Sequence, residues 1–139
     1  MKKLLLLPLF FVSLGASAAC KPVVTDGYVR LAPGGMGMGA GYFRIDNKCG
    51  KPMVIQKATS PAFTSVSIHQ TIEDRGVSRM RALSEMTLAG DDRAIFQPGG
   101  LHLMMMKAKR PLRPGTKVPV TISGPGWSVT SSFVVRTAN

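Results

Sequence analysis

Hydrophobic and polar positions alternate along this chain in short runs that are separated by turn residues. From about residue 26, runs rich in β-branched residues are bounded by glycine, proline, asparagine and aspartate, a pattern typical of β-strands. The predicted strands lie at 27–30, 40–45, 53–58, 66–72, 77–83, 93–96, 101–106, 118–122 and 127–135. Helix signals are weak throughout. Short strands in this number and at this spacing predict an all-β fold, a Greek-key β-sandwich or barrel.

One pair of strands forms a predicted hairpin around the polar turn Glu73–Gly76. A four-residue turn there, or a two-residue turn at 74–75, places His69 directly opposite Met80. A two-residue turn at 75–76 moves the two residues one diagonal step apart but keeps them on one face, whereas a three-residue turn puts them on opposite faces. The position of this turn therefore decides whether the two side chains can meet.

The first residues have the pattern of a secretory signal peptide. Lys2 and Lys3 precede an apolar run that is too short to span a membrane, and small residues follow it up to Cys20. We expect residues 1–19 to be removed after Ala18 or Ala19 and residues 20–139 to form a single domain in the periplasm. The alternative, a lipoprotein acylated on Cys20, is less favoured because Ser17 stands where such signals prefer an aliphatic residue.

The two cysteines, Cys20 and Cys49, predict a disulfide because an exported protein meets an oxidising environment. A Cys20 thiol that carries a lipid cannot form this bond, so the disulfide and the lipoprotein hypotheses exclude each other.

Charge narrows the possible partners. The 139-residue chain has a formal net charge of +11, which becomes +9 when Lys2 and Lys3 are removed. Nucleic acid is not an expected partner of an exported protein. The basic residues are scattered except for one cluster, Lys107, Lys109, Arg110, Arg113 and Lys117, which we expect to lie near the functional site and to steer docking onto an acidic partner. The alternative is an ordinary solvated surface.

Both histidines of the chain, His69 and His102, have methionine at a spacing that β-structure turns into a shared site. His102 and Met104 project from one face of a predicted strand, while Leu101 and Leu103 face the core. The hairpin brings Met80 to the same face as His69. Together the four residues supply two imidazoles and two thioethers.

This ligand set favours Cu(I) over Zn(II), Mg(II) or Ca(II), since thioethers are soft ligands and zinc sites ordinarily use cysteine, histidine or carboxylate. Blue-copper electron transfer needs a cysteine thiolate beside the histidines, and neither cysteine is close to them in the predicted fold. The residues therefore predict one Cu(I) ion that is carried and not cycled between oxidation states. Methionine also fills protein cores, and this remains the alternative for Met104–Met106.

Met36 and Met38 occupy a glycine-rich loop and are candidate auxiliary soft ligands, although exposed loop methionines are common.

The pattern His69-X10-Met80-X21-His102-X-Met104 resembles the signature of the periplasmic copper chaperones of the PCuAC type. The segments 39–43, 76–81 and 98–104 are also similar to this family, and the resemblance covers about residues 27–136. It implies a cupredoxin-like β-sandwich and Cu(I) bound near the surface. It also implies transfer to cytochrome c oxidase, where the family supplies the CuA centre, or to a thioredoxin-like Sco-type protein. Gln70 replaces a frequent acidic residue, and the Cys20/Cys49 pair is not part of the signature.

Three functions are compatible with these features. The first is a monomeric metallochaperone without enzymatic turnover; the second is copper sequestration for tolerance, which uses the same site; the third is a metal-free extracellular adhesion or assembly module. A hydrolase is disfavoured because the sequence suggests no grouping of serine, histidine and aspartate.

Overall fold

The computed structural model describes residues 19–138, so the predicted signal peptide lies outside the described part except for Ala19. These residues form eleven β-strands and one short 3-10 turn, Pro33–Gly35. The strands are β1 (Val23–Leu31), β2 (Gly39–Asp46), β3 (Met53–Ile55), β4 (Lys57–Thr59), β5 (Phe63–Asp74), β6 (Val77–Leu83), β7 (Met86–Leu88), β8 (Arg93–Phe96), β9 (Leu101–Ala108), β10 (Lys117–Gly124) and β11 (Trp127–Arg136). Within residues 19–138, no helix has the length and apolarity that crossing a membrane requires.

Nine strands form one curled sheet in the order β4-β10-β11-β1-β2-β8-β9-β5-β6, and β3 pairs with β7 in a second, small sheet. Strand β2 is the bend in this arrangement, since one half of it pairs with β8 and the other half with β9. The curl brings β4, at one end of the sheet, into contact with β5 near the other end. The predicted all-β, cupredoxin-like sandwich is confirmed.

The core follows the alternation of the strands. On β9, Leu103 and Met105 are fully buried, and they belong to one apolar cluster with Phe133 and Val135 of β11. Leu101 packs against the edge of the same cluster, as predicted. The alternate residues of β9 therefore point to the outer face of the sheet, where they are free for another role.

Two features of the strand prediction differ from the structure. The predicted strand 53–58 is split at Gln56, because β3 pairs with β7 whereas β4 pairs with β10. The amide of Gln56 donates a hydrogen bond to the carbonyl of Ser123 (3.0 Å) at the point where the chain changes partner. Strand β7 was not predicted at all, since three residues carry too little alternation to be recognised.

The hairpin turn is the two-residue form at Arg75–Gly76, with Asp74 opposite Val77. Both turn residues have positive φ, 50° and 78°, as the favoured hairpin turn of this length requires. In this register Met80 lies opposite Thr71 and not directly opposite His69. The third arrangement, one diagonal step apart on one face, is the one that forms.

Pro119 lies on β10 beyond the segment Thr121–Ser123 that pairs with β4. On its other side β10 pairs continuously with β11. The missing N–H of Pro119 therefore costs no ladder hydrogen bond with β4.

The disulfide between Cys20 and Cys49 is present and ties the start of the described chain to the turn after β2. Asn47, which is 1% exposed, organises this turn. Its side-chain amide donates to the carbonyls of Lys51 (2.7 Å) and Ala89 (2.9 Å), and its side-chain oxygen accepts from the amide of Cys49 (3.0 Å). The disulfide thus anchors the end of the sandwich opposite the first residues of β2.

Candidate metal centre

The four predicted ligands lie on the outer face of the sheet, in three adjacent strands. His69 of β5 is directly opposite His102 of β9, and their ring centroids are 5.7 Å apart. Met104 follows on β9 opposite Ser67, so it shares the face of both rings. Met80 reaches the same face from β6, two residue pairs closer to the hairpin turn than His69. The structure therefore places all four side chains on one surface, in the order β6, β5 and β9.

Exposure is graded across this group. Met80, on the edge strand, is 63% exposed, whereas His102 is only 5% exposed. Met104 and His69 have intermediate exposure. A bound ion would thus have an exposed thioether on one side and a buried imidazole on the other.

The backbone fixes the tautomer of His102. Its Nδ1 lies 3.1 Å from the carbonyl oxygen of Gly100. A carbonyl only accepts hydrogen bonds, so Nδ1 carries the proton and Nε2 keeps its lone pair. Metal-ligating histidines characteristically hold one nitrogen in such a bond, which orients the other toward the ion.

His69 has a nitrogen without a protein partner. Its Nε2 lies 2.9 Å from the Ser67 hydroxyl oxygen, and its Nδ1 is buried with no hydrogen-bond partner among the described residues. Buried polar atoms are normally paired, so this nitrogen fits a role as metal ligand. Burial, and secondarily the positive charge of His102 when protonated, lowers the pKa of His69. A lowered pKa favours the neutral ring, which is the form that binds metal.

The site opens into a cleft of about 590 Å³. Six of its lining residues matter here: Arg30, Met38, Tyr42, Met80, His102 and Met104. His69 does not line the cleft, which agrees with its buried Nδ1.

Arg30 puts a fixed positive charge into the wall of this cleft. It donates a hydrogen bond to the Tyr42 hydroxyl (3.1 Å), and its guanidinium carbon lies 5.4 Å from the centre of that ring. Tyr42 in turn packs on Tyr28, with 5.2 Å between ring centroids. A positive charge held in this way repels a divalent ion about twice as strongly as a monovalent one. Arg30 and Tyr42 were missed at the sequence level because nothing in their own spacing connects them with His102.

The donor set is soft and neutral. Within residues 19–138, no three histidine, cysteine, aspartate or glutamate side chains come together as a metal-binding group. Beside the two imidazoles, this face offers the thioethers of Met80 and Met104 as metal donors. These donors fit Cu(I) and do not fit a hard or borderline divalent ion such as Mg(II) or Zn(II).

A second hollow of about 580 Å³, which we call the apolar groove, adjoins the cleft. It shares the lining residues Leu31, Ala32, Pro33, Met38 and Ala138 with the cleft. Lys109 and Arg110 of the basic cluster line the groove and not the cleft. Among the described residues that line either hollow, Arg30, Lys109 and Arg110 are positively charged and none is acidic.

The fold and the donor set together define a β-sandwich protein with a soft, neutral metal site on the outer face of its sheet. The model of the family described as "Putative lipoprotein LpqE-like" matches residues 23–124, and the chain belongs to this family.

Among curated proteins, the chain is 32% identical over 100 residues to "Putative lipoprotein Lxx21020" of Leifsonia xyli subsp. xyli, a match that covers 71% of this chain. The chain spans only 59% of the length of that relative.

Two solved structures are similar to the whole described domain. The "Copper-bound PCuAC domain from PmoF2" has a TM-score of 0.70 at 19% identity, covering 84% of this chain and 93% of its own. The Cu(I) form of DR1885 from Deinococcus radiodurans has a TM-score of 0.68 at 27% identity, covering 88% of this chain and 83% of its own. The resemblance to the PCuAC type is thereby confirmed.

Proposed function

We propose that this protein is a periplasmic metallochaperone that binds one Cu(I) ion with His69, Met80, His102 and Met104 and passes it to an acceptor protein. The acceptor we favour is the CuA site of cytochrome c oxidase during its assembly, reached directly or through a Sco-type protein. Residues 20–139 form the copper-binding domain after removal of residues 1–19, and the protein acts as a monomer without catalytic turnover.

One observation carries this proposal: two directly paired histidines share a face of the sheet with two thioethers. The backbone orients the ring of His102, and among the described residues Nδ1 of His69 is buried without a hydrogen-bond partner. The copper-containing structures of similar fold support the choice of metal. The graded exposure supports handover, since the site is open to an incoming ligand while the buried imidazole still holds the ion.

Equilibrium dialysis of the purified domain against Cu(I) under reducing conditions tests the site. The proposal requires uptake of one Cu(I) ion per chain. Absence of uptake would leave the metal-free adhesion module as the remaining candidate.

A deletion strain separates delivery from sequestration, which use the same site. Loss of oxidase activity that added copper restores indicates delivery to the oxidase. Copper sensitivity with normal oxidase activity indicates sequestration instead.

The mature protein is expected to carry a free, unacylated N-terminus. Cys20 is bonded to Cys49, and a sulfur in a disulfide cannot also hold a lipid. Intact-mass measurement of the exported protein should therefore give the mass of residues 19–139 or 20–139 less the two thiol hydrogen atoms that are lost when the disulfide forms. A diacylglyceryl mass on Cys20 would contradict both the disulfide in the exported form and the soluble periplasmic location.

Charge reversal of Lys109 and Arg110 is expected to slow copper transfer to a soluble CuA domain. These side chains line the apolar groove beside the site, where the described lining offers no acidic residue to offset them. Electrostatic steering raises association rates by about tenfold or more and is screened within about 10 Å at 0.1 M salt. The slowing should therefore be roughly tenfold at low salt and disappear at high salt, with Cu(I) affinity unchanged.

Charge reversal of Lys48 and Lys51 is the matched control. Both residues follow the end of β2, whereas Ala40 lies near the start of this strand. A transfer rate that depends neither on Lys109 and Arg110 nor on salt would assign the basic cluster to ordinary surface solvation.

A further inference from the structure

Met38 stands where the cleft meets the apolar groove. It lines both hollows, together with His102 and Met104 in the cleft and with Lys109 and Arg110 in the groove. Its side chain has intermediate exposure, whereas Met36 of the same loop is 67% exposed. The two loop methionines that the sequence could not distinguish are therefore in different environments.

The backbone holds Met38 in place. Its carbonyl accepts a hydrogen bond from the amide of Ala32 (2.9 Å), and the carbonyl of Gly37 accepts one from the amide of Ala108 at the end of β9 (2.8 Å). Gly37 has a φ of 63°, which a glycine adopts without strain. These two hydrogen bonds tie Gly37 and Met38 to the end of β9 and to Ala32, the residue that follows β1.

Met38 lies beside the metal site. Ala40 of β2 is directly opposite Met104, and Met38, which immediately precedes β2, lines the cleft together with both of them. The small side chain of Ala40 leaves the space beside Met104 open. Met38 therefore lies on the β2 side of the site, whereas Met80 lies on the β6 side, with β5 and β9 between them.

We propose that Met38 is a third thioether ligand, which takes hold of Cu(I) as the ion leaves the four-residue site toward the apolar groove. In this step a Cu–S bond to Met38 forms and the Cu–S bond to Met80 breaks. One neutral thioether replaces another, so copper stays Cu(I) and no proton or electron moves. This inference rests on the proposed function and names the side from which the metal departs.

Methyl-labelled methionine provides a direct test. In NMR spectra of the full mature protein with [methyl-¹³C]methionine, Cu(I) addition should shift the methyl signals of Met38, Met80 and Met104. The signal of Met36 should stay in place. Assignment uses Met38→Leu and Met36→Leu, which keep the apolar volume of each side chain.

Transfer kinetics supply the second measurement. Met38→Leu should still bind one Cu(I) but release it to a soluble CuA domain roughly tenfold more slowly, a size typical for loss of a group that assists a metal site. Met36→Leu should transfer at the wild-type rate.

The outcomes separate the two proposals. Normal Cu(I) binding with an unmoved Met38 methyl signal, or with wild-type transfer by Met38→Leu, overturns the role of Met38 and leaves the four-ligand site intact. Failure of the wild-type protein to bind Cu(I) overturns the metallochaperone function, and the role of Met38 with it.

Discussion

Replacing both Met80 and Met104 with leucine is expected to weaken Cu(I) binding by at least about 100-fold, because changes to groups that merely support a metal ligand already cost 10–100-fold. Cu(II) binding should fall far less. The two imidazoles remain, and imidazole serves either oxidation state, whereas thioether sulfur selects the soft monovalent ion. Competition with a Cu(I) chelator and with a Cu(II) chelator, carried out on the same preparations, measures the two affinities.

The fold should tolerate this double change. Met80 is 63% exposed and Met104 lies on the outer face of β9, so neither contributes to the buried cluster. Met36→Leu/Met86→Leu is the matched control: it removes two thioethers that are not on the site face, and both copper affinities should stay at the wild-type values. Equal losses of Cu(I) and Cu(II) affinity in the Met80/Met104 variant would mean that the thioethers are not ligands.

The face of the sheet that carries the site was predictable because strand alternation is a local property. The alternation of His102 and Met104 with Leu103 and Met105 assigns each side chain of β9 to the outer face or to the core. The structure keeps this assignment over the predicted strand 101–106, and the alternation ends at Lys107, which has a φ of 55° and is exposed.

The register of the hairpin was harder to predict because several turns suit the segment Glu73–Gly76. The observed turn places Arg75 at a φ of 50°, a conformation for which aspartate or asparagine is the more usual residue. Local preferences therefore do not single out this turn. The alternative turns differ by a shift of two in register, which moves Met80 along the strand without changing its face, and the site forms with any of them.

The direct pairing of His69 with His102 depends on contacts that no local pattern reveals. Strands β5 and β9 are separated in the chain by β6, β7 and β8, and their register is set by the sandwich as a whole. The same holds for Met38, since only the pairing of β2 with β9 shows which loop methionine faces the cleft. Sequence spacing suggested the candidate ligands, and the long-range pairings determine how these side chains are arranged.

Replacing Cys20 and Cys49 with serine is expected to produce the largest loss of stability among the changes considered. The bond closes a loop with a sequence separation of 29 residues. In the chain-entropy account of cross-links, removing a bond that closes a loop of this size lowers the free energy of unfolding by about 3–4 kcal/mol. For a domain of this length that corresponds to a decrease in melting temperature of roughly 10–15 °C.

Thermal unfolding of the wild-type protein and of Cys20→Ser/Cys49→Ser, each with and without a reducing agent, measures this contribution. The reductant should lower the melting temperature of the wild-type protein to that of the variant and leave the variant unchanged. Below the melting transition, the wild-type protein and the variant should have the same Cu(I) affinity. Cys49 follows the end of β2, whereas Ala40, the residue opposite Met104, lies near the start of this strand. A melting temperature that the double substitution leaves unaltered would show that the hydrogen bonds of Asn47, and not the disulfide, hold this end of the sandwich together.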